Sequence, residues 1–337
     1  MLLHMDGFDE YVYTSDLNQE YAAFNVNQFG ITWGRWGGGA PYLDDNGRYL
    51  SWSNGNTLTE IWSGVAYKIN PGNVSGGVVM EFWSGSGVEA SVTYDPYGGS
   101  WNCYRGQFST VLGGYVYPIS WNQYHWIEIH YKISTTVGIM EVWVDGSQIV
   151  NVTGANTTQN SVTNFSAVWL GSLSNTCRGY FDDWYVLDTT GTYNNTRLGD
   201  SRIETLRPQS DAGPNNGVPS TAGPHYAMVD ELQWSSSNSI ILGSTAGNAE
   251  VFGMTSLSTA PTNIHAVRVL AVAEKTDAGA LSANAIVISS NVEADGNSTT
   301  LNSSFAHVFN VFETDPNTGV PWAYTAVNAM DCGIKIP

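Results

Sequence analysis

The run HWIEIHYKISTTVGIMEVWVDGSQIVNVTG, from His125 to Gly154, constrains this chain more than any other stretch. Trp126, Ile127, Ile129, Tyr131 and Ile133 make one apolar run. Beyond Thr135, Thr136 and Gly138, the residues Ile139, Glu141 and Trp143 alternate with Met140, Val142 and Val144. Alternation with period two marks a strand, and Asp145-Gly146 between two such runs is the strongest short hairpin signal. Three consecutive antiparallel strands are predicted.

Upstream, strands are predicted at Tyr49 to Trp52, Glu60 to Ile69, Val78 to Trp83, Glu89 to Tyr94, Trp101 to Phe108 and Tyr115 to Tyr117, after an opening strand-like segment from Asp6 to Tyr13. Downstream lie Phe165 to Gly171 and Gly179 to Asp188. Each is bounded by Gly, Pro, Asn, Asp or Ser, the rhythm of an all-β sandwich or barrel. With 36 glycines and only 12% charged residues, the composition favours short strands and turns over solvated helices. Gly30 to Gly39 is too glycine-rich for a regular strand and reads as a loop presenting Trp33 and Trp36.

The DG hairpin after a V-W-V strand, the N-terminal DGFDEY and the GYFDDWYVLD of residues 179–188 together resemble concanavalin A-like or laminin-G-like jelly rolls. That resemblance implies that the first and last strands lie side by side and closes a jelly-roll domain at residues 1–193. Residues 194–224, rich in Thr, Asn, Gly and Pro, read as a connector with a short strand at Arg202 to Leu206. Residues 225–337 read as a second, smaller β-sandwich with strands at Ile240 to Leu242, Ala249 to Met254, Ile264 to Glu274, Ala283 to Ser289 and Ser304 to Phe312. A helical turn is expected at Trp322 to Ala329 and a closing strand at Asp331 to Ile336. In the 264–274 run, Ile264, Ala266, Val267, Val269 and Ala271 are compatible with burial on both faces.

A narrower resemblance follows from ordered blocks: DSRIETLRP, HYAMVDE, STAG, IHAV, EKTDAG and VFETDPNTG, with AVNAM near the end. This succession is similar to bacteriophage virion proteins in which it follows a concanavalin-like domain. It implies a structural protein of the tail or fibre, with capsid decoration or a head fibre as the nearest variant. The partners implied are other virion proteins, a symmetric homo-oligomer with a trimer favoured, and host surface polysaccharide.

Aromatic faces stack on pyranose CH groups, and 13 Trp and 18 Tyr supply many. Trp33, Trp36, Trp101 and Tyr104 are the candidate glycan or partner contacts, while Trp62, Trp83, Trp126, Trp143, Trp169 and Trp184 are assigned to the sandwich core. Asp6 and Asp9, brought beside Asp182 and Asp183 by pairing of the terminal strands, are candidate ligands for a structural calcium, a hard cation that takes oxygen donors. Pairing with Arg178 or a turn-capping role competes with that reading. Arg202 and Arg207, cations in an acidic chain, are candidate subunit contacts, with salt bridges inside the chain as the alternative.

A net charge of -18 disfavours nucleic acid and anionic lipid as partners. No apolar run is long enough to span a membrane, and no basic segment with an apolar run opens the chain, so neither a span nor a secretory signal is expected. The three cysteines, Cys103, Cys177 and Cys332, fit no zinc spacing; Cys103 and Cys177 would pair only if their strands met. A glycosidase needs two carboxylates about 5 to 9.5 Å apart. Glu141 and Asp145 are the closest candidates, but no third carboxylate accompanies them and Asp145 is explained by the turn. The sequence therefore argues for a protein without enzymatic activity, a carbohydrate-active enzyme being the disfavoured alternative.

Overall fold

The computed structural model describes Met1 to Pro337 apart from Ala22, Asp45, Asn46, Asn54, Asn56, 71–75 and 232–237. The chain forms two compact units, Met1–Ile203 and Glu204–Pro337. Among the described residues, α-helix is confined to the single turn Tyr324–Val327.

The first unit is a jelly-roll sandwich of two antiparallel sheets. An 8-stranded sheet runs Ser147–Ala155, Gly138–Val144, Tyr124–Lys132, Glu60–Ile69, Gly179–Asp188, Ala40–Leu43, Gln28–Gly30, with Leu2–Asp6 pairing Gly179–Asp188 as well. A 7-stranded sheet runs Thr110–Val116, Ser100–Arg105, Gly87–Asp95, Gly77–Ser84, Ala167–Gly171, Tyr49–Trp52, Ala23–Asn25. The three strands predicted from His125 to Gly154 form a meander at one edge of the first sheet. Asp145 and Gly146 turn there with φ of 49° and 78°, the double positive φ of a type I′ hairpin, whose twist matches that of the flanking strands.

Ile127, Ile129, Tyr131, Met140, Val142 and Val144 face the core, so the alternate positions face outward. Of the six tryptophans assigned to the core by sequence, Trp62, Trp126 and Trp184 are buried, but only Trp184 packs between the two sheets. Trp62, Trp126 and Trp143 lie on the outer face of the 8-stranded sheet, and Trp83 and Trp169 on that of the 7-stranded sheet. Period-two alternation fixes which residues share a face, whereas bulk on both sides leaves open which face is inward.

The first strand ends at Asp6 and does not continue to Tyr13, because Phe8 turns the chain at φ 56°. The expected connector dissolves into its neighbours: residues up to Ile203 belong to the first unit, and Arg202 to Leu206 is not a strand. The three cysteines are free and buried.

In the second unit a 6-stranded sheet holds Pro208–Asn215, Ala249–Met254, Asp331–Lys335, Ser282–Ser289 and Val292–Asp295, with Thr299–Thr300 on Ser282–Ser289. The separate ribbon Val267–Ala273/Ala306–Phe312 shares a core with it through Val267, Val269 and Val308 against Ala283, Ala285 and Val287. Val267 and Val269 are buried while Arg268 and Leu270, on the opposite face, are only half-buried, so this ribbon is covered more fully on one face than on the other.

Candidate functional site

The loop from residue 31 to 39 lies beside the Gly179–Asp188 strand. Its glycines permit close approach: a Cβ on Gly38 would collide with the Asp9 carboxylate, whose Oδ1 accepts the Gly39 amide at 3.1 Å. At Asp182–Asp183 the strand is bulged, with a register shift before Tyr185 and Asp183 at φ 51°. A bulge re-aims side chains, and both carboxylates here meet the loop. Asp182 accepts the Arg35 amide at 2.5 Å and its neighbour's amide at 2.7 Å. Asp183 accepts the Trp36 indole N–H at 3.1 Å and the Ile203 amide at 2.7 Å. Burial, then repulsion between the two, pushes the Asp182 carboxyl well up; burial also pushes Asp183 up, against the Arg35 guanidinium and its hydrogen bonds.

Trp36 is thereby fixed at its nitrogen while 56% of the residue stays exposed. The guanidinium carbons of Arg35 and Arg202 each lie 5.0 Å from its ring centroid, within cation–π range. Arg35 is itself held by Asp200, a two-pronged contact at 2.7 Å on each oxygen. Trp33 is half-buried, edge-on to Tyr180 at 5.2 Å, and its carbonyl accepts from Lys68 at 3.1 Å and from the Tyr124 hydroxyl at 2.8 Å.

The other sequence candidates fare differently. Trp101 is a correction: it is wholly buried in the sandwich core, its N–H satisfied by the Tyr117 carbonyl at 3.0 Å, so no sugar can stack on it. Tyr104 alternates with Trp101 and Cys103 and lies on the outer face, edge-on to Phe108 at 5.7 Å. Arg202 serves Trp36 within its own unit. Arg207 belongs to the second unit, where its backbone pairs with Thr255.

Asp6, named above as a candidate metal ligand, is held by donors within its own unit. It is buried, and its oxygens accept the Phe8 amide at 2.7 Å and the Tyr11 and Tyr21 hydroxyls at 2.9 and 2.7 Å. Among the described residues no group of three or more His, Cys, Asp or Glu is disposed to hold a metal. Asp9, Asp182 and Asp183 are engaged by N–H donors, which leaves calcium without support from this geometry.

The remaining outer face of the 8-stranded sheet is densely paired. His130 stacks on Trp62 at 4.3 Å and 8°, with Glu141 at 2.8 Å from Nδ1 and Glu60 at 3.0 Å from Nε2. Glu128, fully buried, accepts from the Tyr185 hydroxyl at 2.7 Å, Arg197 at 2.9 Å and the Gly199 amide at 2.8 Å. Arg197 also lies 4.1 Å over Trp143. Asp145 accepts from His125 at 2.7 Å and the Trp126 amide at 2.9 Å; these bonds outweigh its burial and lower its pKa.

On the 7-stranded sheet, Tyr49, Trp169 and Trp83 stack in a row, at 4.3 Å and then 4.2 Å. Beside them Glu81, fully buried, accepts from Trp83 and Gln107 at 2.9 Å each. Burial outweighs those bonds and pushes its carboxyl up to about 7. Sequence reasoning missed Glu81, Glu128 and Arg35: Gln107, Arg197 and Asp200, which engage them, stand 26, 69 and 165 residues away, and of the hydrogen-bond partners named only Trp83, beside Glu81, is local.

No family model matches the sequence, and no curated protein matches it. Among solved structures the chain is similar to the alginate lyase Aly36B (TM-score 0.40, 12% identity, 55% of this chain and 96% of that one). It is also similar to Cip1, a cellulose induced protein (0.43, 12%, 59% and 100%), and to the carbohydrate-binding module CBM66 of Bacillus subtilis (0.33, 11%, 48% and 89%). Among the described residues no helix is long and apolar enough to cross a membrane.

Proposed function

We propose that this chain is a non-enzymatic structural protein of a bacteriophage virion, of the tail or fibre, whose jelly-roll unit recognises host surface carbohydrate through Trp36. The observation that carries the recognition reading is the exposed indole fixed by Asp183 and flanked by two guanidiniums. A rigid aromatic face beside hydrogen-bonding groups is what a pyranose ring requires, and fixing it in advance reduces the entropy lost on binding. By contrast, the faces of Trp169 are taken by Tyr49 and Trp83, and Trp62 is covered by His130. The virion reading draws on the ordered sequence blocks of the second unit. The non-enzymatic reading draws on Glu141 and Asp145, whose oxygens are tied to His130, Gln148, His125 and a backbone amide.

The test is a glycan array of host surface polysaccharides probed with the full chain and with Trp36→Ala. Binding by the wild type, weakened about tenfold or more in the variant as for a truncated hot spot, supports the reading. Silence of the wild type, or unchanged binding by the variant, sinks it. Release of reducing ends or of unsaturated sugar from a bound polysaccharide would overturn the non-enzymatic part.

A further inference from the structure

Two guanidiniums beside an exposed indole would ordinarily suit an acidic sugar, whose carboxylate or phosphate a planar fork grips through two N–H bonds. At Trp36 the fork of Arg35 is already taken. Its Nη1 and Nη2 each donate to one oxygen of Asp200 at 2.7 Å. Nη1 also donates to the Ser201 carbonyl at 3.3 Å and lies 3.7 Å from Asp183. The Arg35 side chain is 15% exposed against 57% for Asp200, so the carboxylate, and not the cation, is the charge that solvent meets.

Both halves of this pair are held independently of it. The chain before Asp200 is tied down where the Gly199 amide donates to Glu128 at 2.8 Å, and the chain after it where the Ile203 amide donates to Asp183 at 2.7 Å. The Ser201 hydroxyl closes the segment onto the Gly199 carbonyl at 3.0 Å. Across from it, the Arg35 amide is fixed on Asp182 at 2.5 Å. Such anchoring lowers the entropy cost that makes most exposed ion pairs weak. Beside Trp36 the cations Arg35 and Arg202 are matched by Asp183, which holds the indole, and by Asp200. Asp9 is near enough to act on Asp183 as well, so the site brings no surplus of positive charge.

We propose that the Trp36 site takes a neutral sugar, and that Asp200 sets this specificity by occupying the fork of Arg35. The inference rests on the carbohydrate reading above and narrows it. An acidic sugar would have to break the two-pronged contact and then sit beside an exposed carboxylate; like charges placed together are a means of excluding a wrong partner. The chain's net charge of -18 repels a polyanion at longer range in the same sense. A neutral pyranose meets neither penalty, and needs only a ring face with hydrogen-bonding groups at its side.

The test is an array of matched pairs, each a neutral glycan and the same glycan carrying a uronate, sialate or phosphate, read with the full chain, Asp200→Ala, Asp200→Glu and Trp36→Ala. The wild type should favour the neutral member by about tenfold or more. Its binding should be the same at low and high salt, because no ion pair forms with the ligand; both readings need no variant. Asp200→Ala frees the fork and should raise binding of the acidic member by about tenfold, whereas loss of a merely structural residue would weaken both members alike. Asp200→Glu, which keeps a carboxylate there, should retain the wild-type ratio. Trp36-dependent binding that prefers the acidic members, or that falls steeply with salt, overturns the neutral-sugar assignment and leaves the carbohydrate reading standing. An unchanged ratio in folded Asp200→Ala overturns the role of Asp200. Silence of the wild type across every pair removes this inference together with the reading beneath it.

Discussion

Glu128 and Glu81 sit on the outer faces of the two sheets of one sandwich, both with no exposed surface, and they are neutralised by different means. Glu128 has a guanidinium, a phenol and a backbone amide for company. Glu81 has an indole, a carboxamide and the Ser172 hydroxyl, all uncharged donors. Uncharged hydrogen-bond donors can offset the cost of removing a charge from water when there are enough of them, but at Glu81 burial outweighs the three it has. The 8-stranded sheet carries an ion pair that ties residues 197–199 to it, whereas the 7-stranded sheet carries at Glu81 a carboxyl pushed up to about 7.

The largest effect is expected from removing the cation. Arg197→Met keeps an aliphatic chain over Trp143 but leaves Glu128 buried without a counter-charge, and unpairing a buried ion pair costs about 3–5 kcal/mol. Urea denaturation at pH 8 measures it. A cost below about 1 kcal/mol would mean that the ion pair does not distinguish the two faces.

The second effect has the opposite pH sense from that of an ordinary carboxylate. Glu81 has a folded-state pKa raised from 4.5 to about 7, so the folded protein holds a proton that the unfolded chain releases. The stability linked to that proton is fully present below the unfolded value and is lost as pH rises through the folded one. At about 1.4 kcal/mol per unit, the chain should be less stable at pH 8 than at pH 4 by about 3 kcal/mol from this group. Asp182 and Asp183, also raised, act in the same direction. Glu81→Gln should remove this group's share of the slope and be the more stable form at pH 8, with Gln107 turned to present its oxygen. A wild-type stability that rises from pH 5 to 8, with no crossover in the variant, would contradict the assignment.

What could be read from sequence divides along the same line. Strand positions were legible because turn residues and alternation are local: Tyr49–Trp52, Glu60–Ile69 and Gly179–Asp188 fall where predicted, and Asp145-Gly146 turns as its chemistry requires. Where bulk alternates with bulk, as at Trp126 and Ile127, the inward face was not legible, and five tryptophans placed between the sheets lie on their outer faces, Trp62 and Trp126 buried there. That Trp36 stands in an exposed loop was legible because glycines surround it, whereas its fixing by Asp183 depends on a bulge 147 residues away. Trp101 shows the converse, a tryptophan beside glycines whose alternation with Asn102 points it into the core.

The smallest expected effect is the sharpest test of whether the 7-stranded face works by stacking or by its carboxyl. Trp83 donates to Glu81, so any change there mixes the two contributions, while Tyr49 and Trp169 stack at 4.3 Å and 13° with no bond to that group. A double-mutant cycle of Tyr49→Leu and Trp169→Leu isolates the ring contact, which should be worth about 0.5–1.5 kcal/mol and stay constant from pH 5 to 8. A coupling that shrank as Glu81 ionised would show that the row and the carboxyl form one unit, and the contrast with the ion-paired face would then rest on that unit as a whole.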